Sequence, residues 1–126
     1  MTALCGLVLG LPARPGSVAE VRRAAREHFG GDCPDVQLCV SELLTNVITH
    51  IGEGTPVTVR LGSTAEGGVR VEVTDPGRHS WLVPRRPSGD DEGGRGLLLV
   101  DALAVRWGVD QGPEGKTVWC ELPGGG

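Results

Sequence analysis

Glu42 and Asn46 lie four residues apart in a segment whose apolar residues recur with helical spacing. Side chains at this spacing lie on the same face of a helix, so the carboxylate and the amide would be neighbours one turn apart. A carboxylate placed there could activate a hydroxyl group, and the amide oxygen could hold a divalent cation. His50 continues the same line by one further turn. The alternative is an ordinary solvated helix flank, where a single histidine is structural more often than catalytic.

Asp75 directly follows an alternating apolar segment and precedes Pro76 and Gly77. A carboxylate at the end of a strand that opens a long loop could accept a hydrogen bond from an exocyclic amine, as in adenine. Taken alone, Asp-Pro-Gly is explained equally well as a turn, because aspartate side chains often hydrogen-bond the backbone of the following residues. The residues by themselves leave both interpretations open.

Three glycines, Gly93, Gly94 and Gly96, stand directly before a further helical pattern. Exposed backbone N–H groups and the dipole at the start of a helix suit a phosphate group, and glycine lets a ligand approach closely. The alternative is a flexible loop tip. The pattern is neither a Walker A loop, because no Gly-Lys-Ser/Thr follows, nor the dinucleotide-binding fingerprint, which requires a strand directly before the glycines.

The composition limits the classes of function. The chain has 126 residues, the size of one domain, and a net charge of -4 with a pI near 5.3. Nucleic-acid affinity rests on clustered Lys and Arg, so this charge argues against direct nucleic-acid binding. No apolar run is long enough to span a bilayer. The apolar stretch Leu4–Leu11 is predicted to be the first strand, since no basic segment precedes it as in a signal peptide.

The cysteines have no spacing that is typical of a metal site. No Cys-x-x-Cys pair occurs, and no histidine stands at zinc-finger spacing. The better interpretation is a set of buried thiols in a cytoplasmic protein. These residues are Cys5, Cys33, Cys39 and Cys120.

Two helices are predicted in the first half of the chain. Ser17 and Glu20 match a capping box, and apolar residues then recur at helical spacing until Gly30 and Gly31 end this helix. Pro34 can occupy the first turn of the second helix. The apolar positions of the second helix follow the 3.6-residue period: Val36, Cys39, Val40, Leu43, Val47 and Ile51.

The segments Val57–Leu61 and Val69–Val73 alternate apolar and polar residues, and the second follows a Gly-Gly turn signal, so they should pair as an antiparallel hairpin. The chain from Asp75 to Gly96 has no period and is rich in Pro, Gly, Arg and Asp. A loop of this length in a small domain is usually functional. Three elements are predicted after it: a helix at Leu97–Leu103 and strands at Val105–Val109 and Thr117–Leu122.

In this order, the segments resemble the nucleotide-binding motifs of the GHKL ATPases, which include gyrase, heat-shock chaperone, histidine kinase and mismatch-repair ATPase domains. Glu42–Asn46 resembles the N box, Asp75–Gly77 the G1 box and Gly94–Leu97 the G2 box. The resemblance covers nearly all of residues 9 to 123.

Within that superfamily, three segments resemble the anti-sigma regulatory kinases, especially the short actinobacterial members. They are the opening Leu11–Val18, the helical segment Val40–His50 and the ending Gly115–Trp119. This resemblance implies an anti-sigma regulatory factor that acts as a serine/threonine kinase on an anti-sigma-factor antagonist.

The resemblance also implies a role for each motif residue. Glu42 would be the general base toward a protein serine hydroxyl, and Asn46 would be a magnesium ligand. Asp75 would accept the hydrogen bond of the adenine amine. The glycines of the G2 box would cradle phosphate, and the arginine between them would neutralise its charge. The implied nucleotide-binding residues are Asn46, Asp75, Gly77, Gly94, Arg95, Gly96, Leu97 and Thr117.

The sequence departs from the family pattern at two positions. His79 stands where the G1 box often has a second Gly or Ser, which could narrow the pocket or reshape the lid. Lys116 stands where the superfamily often has Thr after the glycine near the adenine, which leaves open whether Thr117 takes that role. Both departures bear on catalysis more than on nucleotide binding.

We therefore expect one domain over residues 1–126, with a flexible end at 124–126. The fold should be a two-layer α/β sandwich of the Bergerat type, with a mixed, mostly antiparallel sheet, helices on one face, and residues 76–93 as a lid over ATP and Mg²⁺. Expected partners are the antagonist protein, a sigma factor or both, and a second copy of the chain in a homodimer.

Two other functions compete with this expectation. One is a non-catalytic module in which ATP only sets the shape of a protein-binding surface. The other is the catalytic domain of a sensor histidine kinase, which is disfavoured because the chain has no helical hairpin carrying a phosphoacceptor histidine.

Overall fold

A computed structural model describes residues 6–76, 100–113 and 115–123. Within these ranges the chain forms five strands and two long helices, and residues 100–103 are also helical. In chain order the elements are β1 (Leu7–Pro12), α1 (Pro15–Phe29), α2 (Pro34–His50), β2 (Pro56–Ser63), β3 (Val69–Asp75), β4 (Arg106–Gly112) and β5 (Gly115–Leu122). No helix within these ranges is long and apolar enough to cross a membrane.

The strands form one sheet in the order β1-β2-β3-β5-β4. All four pairs among the described strands are antiparallel. The predicted two-layer α/β fold is confirmed, and the parallel pairs that a mixed sheet would contain do not occur among these strands. The difference follows from the connections, because β2–β3 and β4–β5 are hairpins and the crossing from β1 to β2 passes through both long helices.

Helix α1 begins at Pro15, earlier than the predicted capping box. Arg14 is the N-cap residue and makes no side-chain cap hydrogen bond, while Pro15 stands in the first turn, where its missing N–H costs nothing. The Ser17 hydroxyl instead donates to the carbonyl oxygen of Pro12 at 2.5 Å. The capping-box prediction was therefore wrong. The predicted stop is confirmed, since Gly30 adopts a left-handed conformation with φ of 80°.

Helix α2 forms the centre of the helical layer and packs against β3 and β5. It begins at Pro34 as predicted. At its N-terminus, the side-chain oxygen of Gln37 accepts a hydrogen bond from the backbone N–H of Cys33 at 3.3 Å. Gln37 and Leu44 are buried although the predicted apolar stripe omitted them. The buried residues of this helix are Val36, Gln37, Cys39, Val40, Leu43, Leu44 and Val47.

The β2–β3 hairpin forms with antiparallel pairing, as predicted. Val59 lies opposite Val73, and Leu61 lies opposite Val71. These four side chains are at most 1% exposed and belong to the core beneath the helices. Strand residues two apart lie on one face of a sheet, so the alternating pattern in the sequence fixes which face the helices cover.

The opposite face of the sheet carries polar and aromatic side chains. The Arg70 guanidinium lies 4.3 Å from the centre of the Trp119 ring, a cation–π contact, and donates to Glu72 and Glu121 at 2.7 and 2.8 Å. Trp119 lies over Gly108, where a side chain would crowd the indole ring. The side chains of this outer face are therefore held by ion pairs and ring contacts with each other, and not by the helices.

Candidate functional site

Asp75 ends strand β3 on the helix-covered face of the sheet. Its side chain shares that face with Val71 and Val73, because strand residues two apart point in the same direction. Asp75 is only 3% exposed. A solvated turn residue would be open to water, so this burial favours the interpretation of Asp75 as a hydrogen-bond acceptor within a site.

Lys116, the second residue of β5, is the direct cross-strand partner of Asp75. It is 8% exposed, although lysine is rarely buried unless its charge is compensated. Burial lowers the pKa of Lys116, and the Asp75 carboxylate opposes this by favouring the charged ammonium. The structure therefore places a buried cation next to the predicted adenine acceptor.

Thr117 lies on the outer face of the sheet. Its hydroxyl is 2.7 Å from the hydroxyl of Thr74, its cross-strand partner, in a side-chain hydrogen bond. Thr74 precedes Asp75, so the pair of threonines and the pair formed by Asp75 and Lys116 lie on opposite faces. The contact of Thr117 with a nucleotide remains a prediction, but the position beside Asp75 belongs to Lys116.

Gly115 sets the distance between the end of β3 and the start of β5. Its φ is 146°, in the region that favours glycine, and a Cβ atom built there would collide with the carbonyl oxygen of Asp75. Only glycine therefore allows the two backbones to approach this closely. The sequence prediction began β5 at Thr117 and did not include this close approach of Gly115 to Asp75. The feature of the sequence that could have indicated it is the Gly-Pro-Glu-Gly run, which marks the hairpin turn.

Glu42 and Asn46 lie on α2 at the border between its buried and exposed faces. Both are partly buried, whereas Thr45 on the same helix is exposed and Leu43 is 1% exposed. This is the predicted position beside the apolar stripe. His50, one turn beyond Asn46, is also partly buried. The three polar side chains thus follow one line along the flank of α2.

A pair of free thiols lies between α2 and β5, in the core next to these polar side chains. Cys39 and Cys120 are both fully buried, and Cys39 lies one turn before Glu42. A hydrogen bond with Cys39, together with burial, raises the pKa of the Cys120 thiol. The contact places α2 over β5, and therefore on the same side of the sheet as Asp75 and Lys116.

Several predicted residues lie outside the described residues. They are Gly77 of the G1 box and the G2-box residues Gly94, Arg95, Gly96 and Leu97. The predicted lid apart from Pro76, with His79 in it, and the end at 124–126 also lie outside them. The described residues fit the base end of a nucleotide, because a buried carboxylate acceptor and a buried ammonium donor stand side by side on the face that α2 covers. Among these residues, no three His, Cys, Asp or Glu side chains gather to hold a metal ion.

A separate groove of about 560 Å³ lies against the opposite end of β3. Its lining includes Arg60, Arg70 and Arg106, and none of the predicted site residues. Arg70 and Arg106 are both paired with Glu121, at 2.8 and 2.9 Å. The lining also contains three glutamates, which balance the charges of the three arginines, so this groove is not a basic surface of the kind that binds nucleic acid.

Comparisons with known proteins show the family and the fold of this chain. Residues 11–122 match the family model described as the histidine kinase-like ATPase domain. An uncharacterized protein of Streptomyces coelicolor is 50% identical over 86 residues, which are 68% of this chain and 82% of that protein.

Two solved structures share the fold. The histidine kinase domain of the EL346 blue-light activated histidine kinase from Erythrobacter litoralis matches with a TM-score of 0.55 and 23% identity over 90% of this chain. Another structure of that kinase matches with a TM-score of 0.56 and 24% identity, again over 90% of this chain. This chain spans 62% and 42% of the lengths of those two chains, and at this identity the likeness concerns the fold alone.

Proposed function

Because the chain belongs to the histidine kinase-like ATPase domain family, we propose that it binds ATP with Mg²⁺ and acts as an anti-sigma regulatory factor. In this proposal it is a serine/threonine kinase that phosphorylates an anti-sigma-factor antagonist. The resemblance of Val40–His50 and Gly115–Trp119 to the anti-sigma kinases supports this choice among the functions of the family.

The buried position of Asp75 carries the proposal. At 3% exposure it ends β3 on the helix-covered face, where a carboxylate can accept a hydrogen bond from the adenine amine away from competing water. Such a bond to a charged acceptor is stronger than one between neutral groups. The family match and the strand-end position thus support the same role for this residue.

The flank of α2 supplies the groups for phosphoryl transfer. Asn46 would hold Mg²⁺ through its amide oxygen, and bound ATP would supply the phosphoryl group. Glu42, one turn earlier and partly buried, would accept the proton of a serine hydroxyl on the antagonist protein. Both residues lie beside the core stripe of α2 on the side of the sheet that carries Asp75.

Three further parts of the proposal come from the sequence resemblance. The substrate is the serine of an antagonist protein, a sigma factor is a second binding partner, and the chain forms a homodimer. The glycines Gly94 and Gly96 would contact the phosphates through their N–H groups, with Arg95 compensating the charge.

The decisive experiment compares wild type with Glu42→Gln, which keeps the shape of the side chain and removes the carboxylate. ATP affinity is measured by calorimetry, and transfer is measured with γ-phosphate-labelled ATP and antagonist proteins co-purified from the native host. We expect nearly equal ATP affinity and transfer slower by about 100-fold or more in the variant. Thr45→Ala, on the exposed side of the same helix, is the matched control and should change neither quantity.

The same experiment separates the competing functions. Equal transfer by wild type and Glu42→Gln would reject the role of Glu42 as the base. A wild-type protein that binds ATP and transfers no phosphate to any co-purified protein would instead support the non-catalytic module. Absence of ATP binding in wild type would reject the whole proposal.

A further inference from the structure

The register between β3 and β5 puts two buried groups of opposite charge in directly opposite positions. Asp75 and Lys116 are cross-strand partners on the helix-covered face, at 3% and 8% exposure. Side chains at such positions have Cβ atoms about 4.5 to 5.5 Å apart. A planar base that meets one of these side chains along its edge is therefore within reach of the other.

The chemistry of the two groups differs in a way that matches one kind of base edge. An ionised carboxylate only accepts hydrogen bonds, and an ammonium group only donates them, through three N–H groups. Adenine presents an amine donor at position 6 next to a ring-nitrogen acceptor at position 1. One carboxylate and one ammonium side by side satisfy both positions. Because the ammonium has three donors, Lys116 can contact Asp75 and a ring nitrogen together.

We infer that Lys116 is a specificity-determining residue for the nucleobase, and that it donates a hydrogen bond to the position-1 nitrogen of adenine while Asp75 accepts from the amine. This inference rests on the proposed function and adds a second base contact to it. Thr117 cannot supply that contact from its place on the outer face, where its hydroxyl is bonded to Thr74.

The assignment also distinguishes adenine from bases that carry an oxygen at position 6. Hypoxanthine and guanine have a carbonyl acceptor at position 6 and an N–H donor at position 1. In the adenine orientation, the Asp75 carboxylate would face the carbonyl and the Lys116 ammonium would face the N–H. Both contacts would then be repulsive and desolvated, so ITP and GTP should bind much more weakly than ATP.

The test uses 1-deaza-ATP, in which a C–H group replaces the ring nitrogen and the amine is kept. Wild type should bind 1-deaza-ATP more weakly than ATP by about tenfold to a hundredfold, the effect of losing a hydrogen bond to a charged group. Lys116→Met removes the ammonium and keeps an apolar side chain of similar length. This variant should bind ATP and 1-deaza-ATP with equal affinity, both measured by calorimetry.

Thr74→Val is the matched control, because Thr74 precedes Asp75 on the same strand and lies on the other face. It should keep the wild-type preference for ATP over 1-deaza-ATP. Circular dichroism and thermal unfolding check that each variant is folded, and the wild-type comparison of the two nucleotides needs no variant.

Three results would overturn the inference. Equal affinity of wild type for ATP and 1-deaza-ATP would reject the contact with the ring nitrogen while leaving ATP binding intact. A Lys116→Met variant that loses affinity for both nucleotides and keeps the preference for ATP would show that Lys116 acts only on the shape of the site. Failure of wild type to bind ATP at all would reject this inference together with the proposed function.

Discussion

Asp75 and Lys116 face each other across the β3–β5 pair, and both side chains are buried on the face that carries the helices. An unpaired charge in that position would be costly, because burial removes its contact with water. The two groups lower this cost for each other. They also place an acceptor and a donor side by side on the helix-covered face, which is the arrangement that the proposed contacts with adenine require.

Removing the charge of Asp75 should weaken nucleotide binding. Asp75→Asn keeps the size of the side chain, replaces one acceptor oxygen with a donor, and leaves Lys116 opposite a neutral group. We expect ATP to bind about tenfold to a hundredfold more weakly, the scale for a lost hydrogen bond to a charged group. Calorimetry measures this directly. Equal affinities of wild type and variant would reject Asp75 as the adenine acceptor.

Asn46 should couple nucleotide binding to Mg²⁺. If its amide oxygen holds the cation, Asn46→Ala should reduce ATP affinity in the presence of Mg²⁺ and leave affinity in EDTA nearly unchanged. The ratio of the two affinities, measured by calorimetry, should therefore fall toward one. Thr45→Ala, one residue earlier on the exposed side of α2, should keep the wild-type ratio. If Asn46→Ala kept the wild-type ratio of ATP affinities with Mg²⁺ and in EDTA, the assignment of Asn46 as a magnesium ligand would be contradicted.

Much of this fold could be predicted from the sequence, because its signals are local. The β2–β3 hairpin follows from strict alternation on both sides of a Gly-Gly turn, and the start of α2 follows from Pro34. The start of α1 was misplaced because Ser17 matches a helix cap in sequence. In the folded chain its hydroxyl donates to Pro12 instead, a contact that depends on how β1 meets α1.

The site was predicted less completely, because its geometry depends on contacts between distant segments. A shift of one residue in register exchanges the two faces of a strand. Whether Lys116 or Thr117 lies beside Asp75 is therefore decided by the pairing of β5 with β3, which the sequence does not specify. The need for glycine at position 115 also depends on this strand pairing, because the atom that a Cβ atom there would meet is the carbonyl oxygen of Asp75.

Gly115 should tolerate no side chain. In Gly115→Ala the new methyl group would meet the Asp75 carbonyl oxygen, and the backbone would have to keep a φ of 146° that alanine disfavours. We expect a loss of roughly 1 to 3 kcal/mol in the free energy of unfolding, the scale of such backbone strain. Urea denaturation measures it.

The matched control for this substitution is Gly112→Ala. Gly112 is the cross-strand partner of Gly115 in the same hairpin, and a Cβ atom there meets nothing within 4 Å. Its effect should stay within about 0.5 kcal/mol. Equal losses in the two variants would show that the hairpin responds to any added side chain and that the approach of Gly115 to Asp75 is unimportant.

The ionisation of Lys116 should make stability depend on pH in the alkaline range. Burial lowers its pKa in the folded protein, whereas the unfolded chain keeps the ordinary value of 10.5. Between these two values the unfolded state binds more protons, so raising the pH stabilises the folded state. This gain begins as the pH rises through the lowered folded value and is complete above 10.5.

The comparison with Lys116→Met isolates this effect, because every other titrating group is common to both proteins and Lys116 is the only lysine in the chain. Urea denaturation from about pH 8 to about pH 10, with reductant present, gives the two free energies of unfolding. The value for wild type minus the value for Lys116→Met should increase with pH. A difference that stays constant or decreases would contradict a lowered pKa for Lys116.

The thiols of Cys39 and Cys120 should be protected until the protein unfolds. Both are fully buried between α2 and β5, so a reagent cannot reach either sulfur atom in the folded chain. The experiment uses a Cys5→Ser, Cys33→Ser double variant, so that only these two thiols remain. In native buffer at about pH 8, reaction with DTNB should be slow and limited by opening of the fold, whereas in denaturant both thiols should react at once.

A matched variant that retains Cys33, which is only partly buried, should add one faster-reacting thiol. Fast reaction of both thiols in the folded double variant would contradict the packing of α2 on β5, and with it the placement of the Glu42 and Asn46 line on the side of the sheet that carries Asp75.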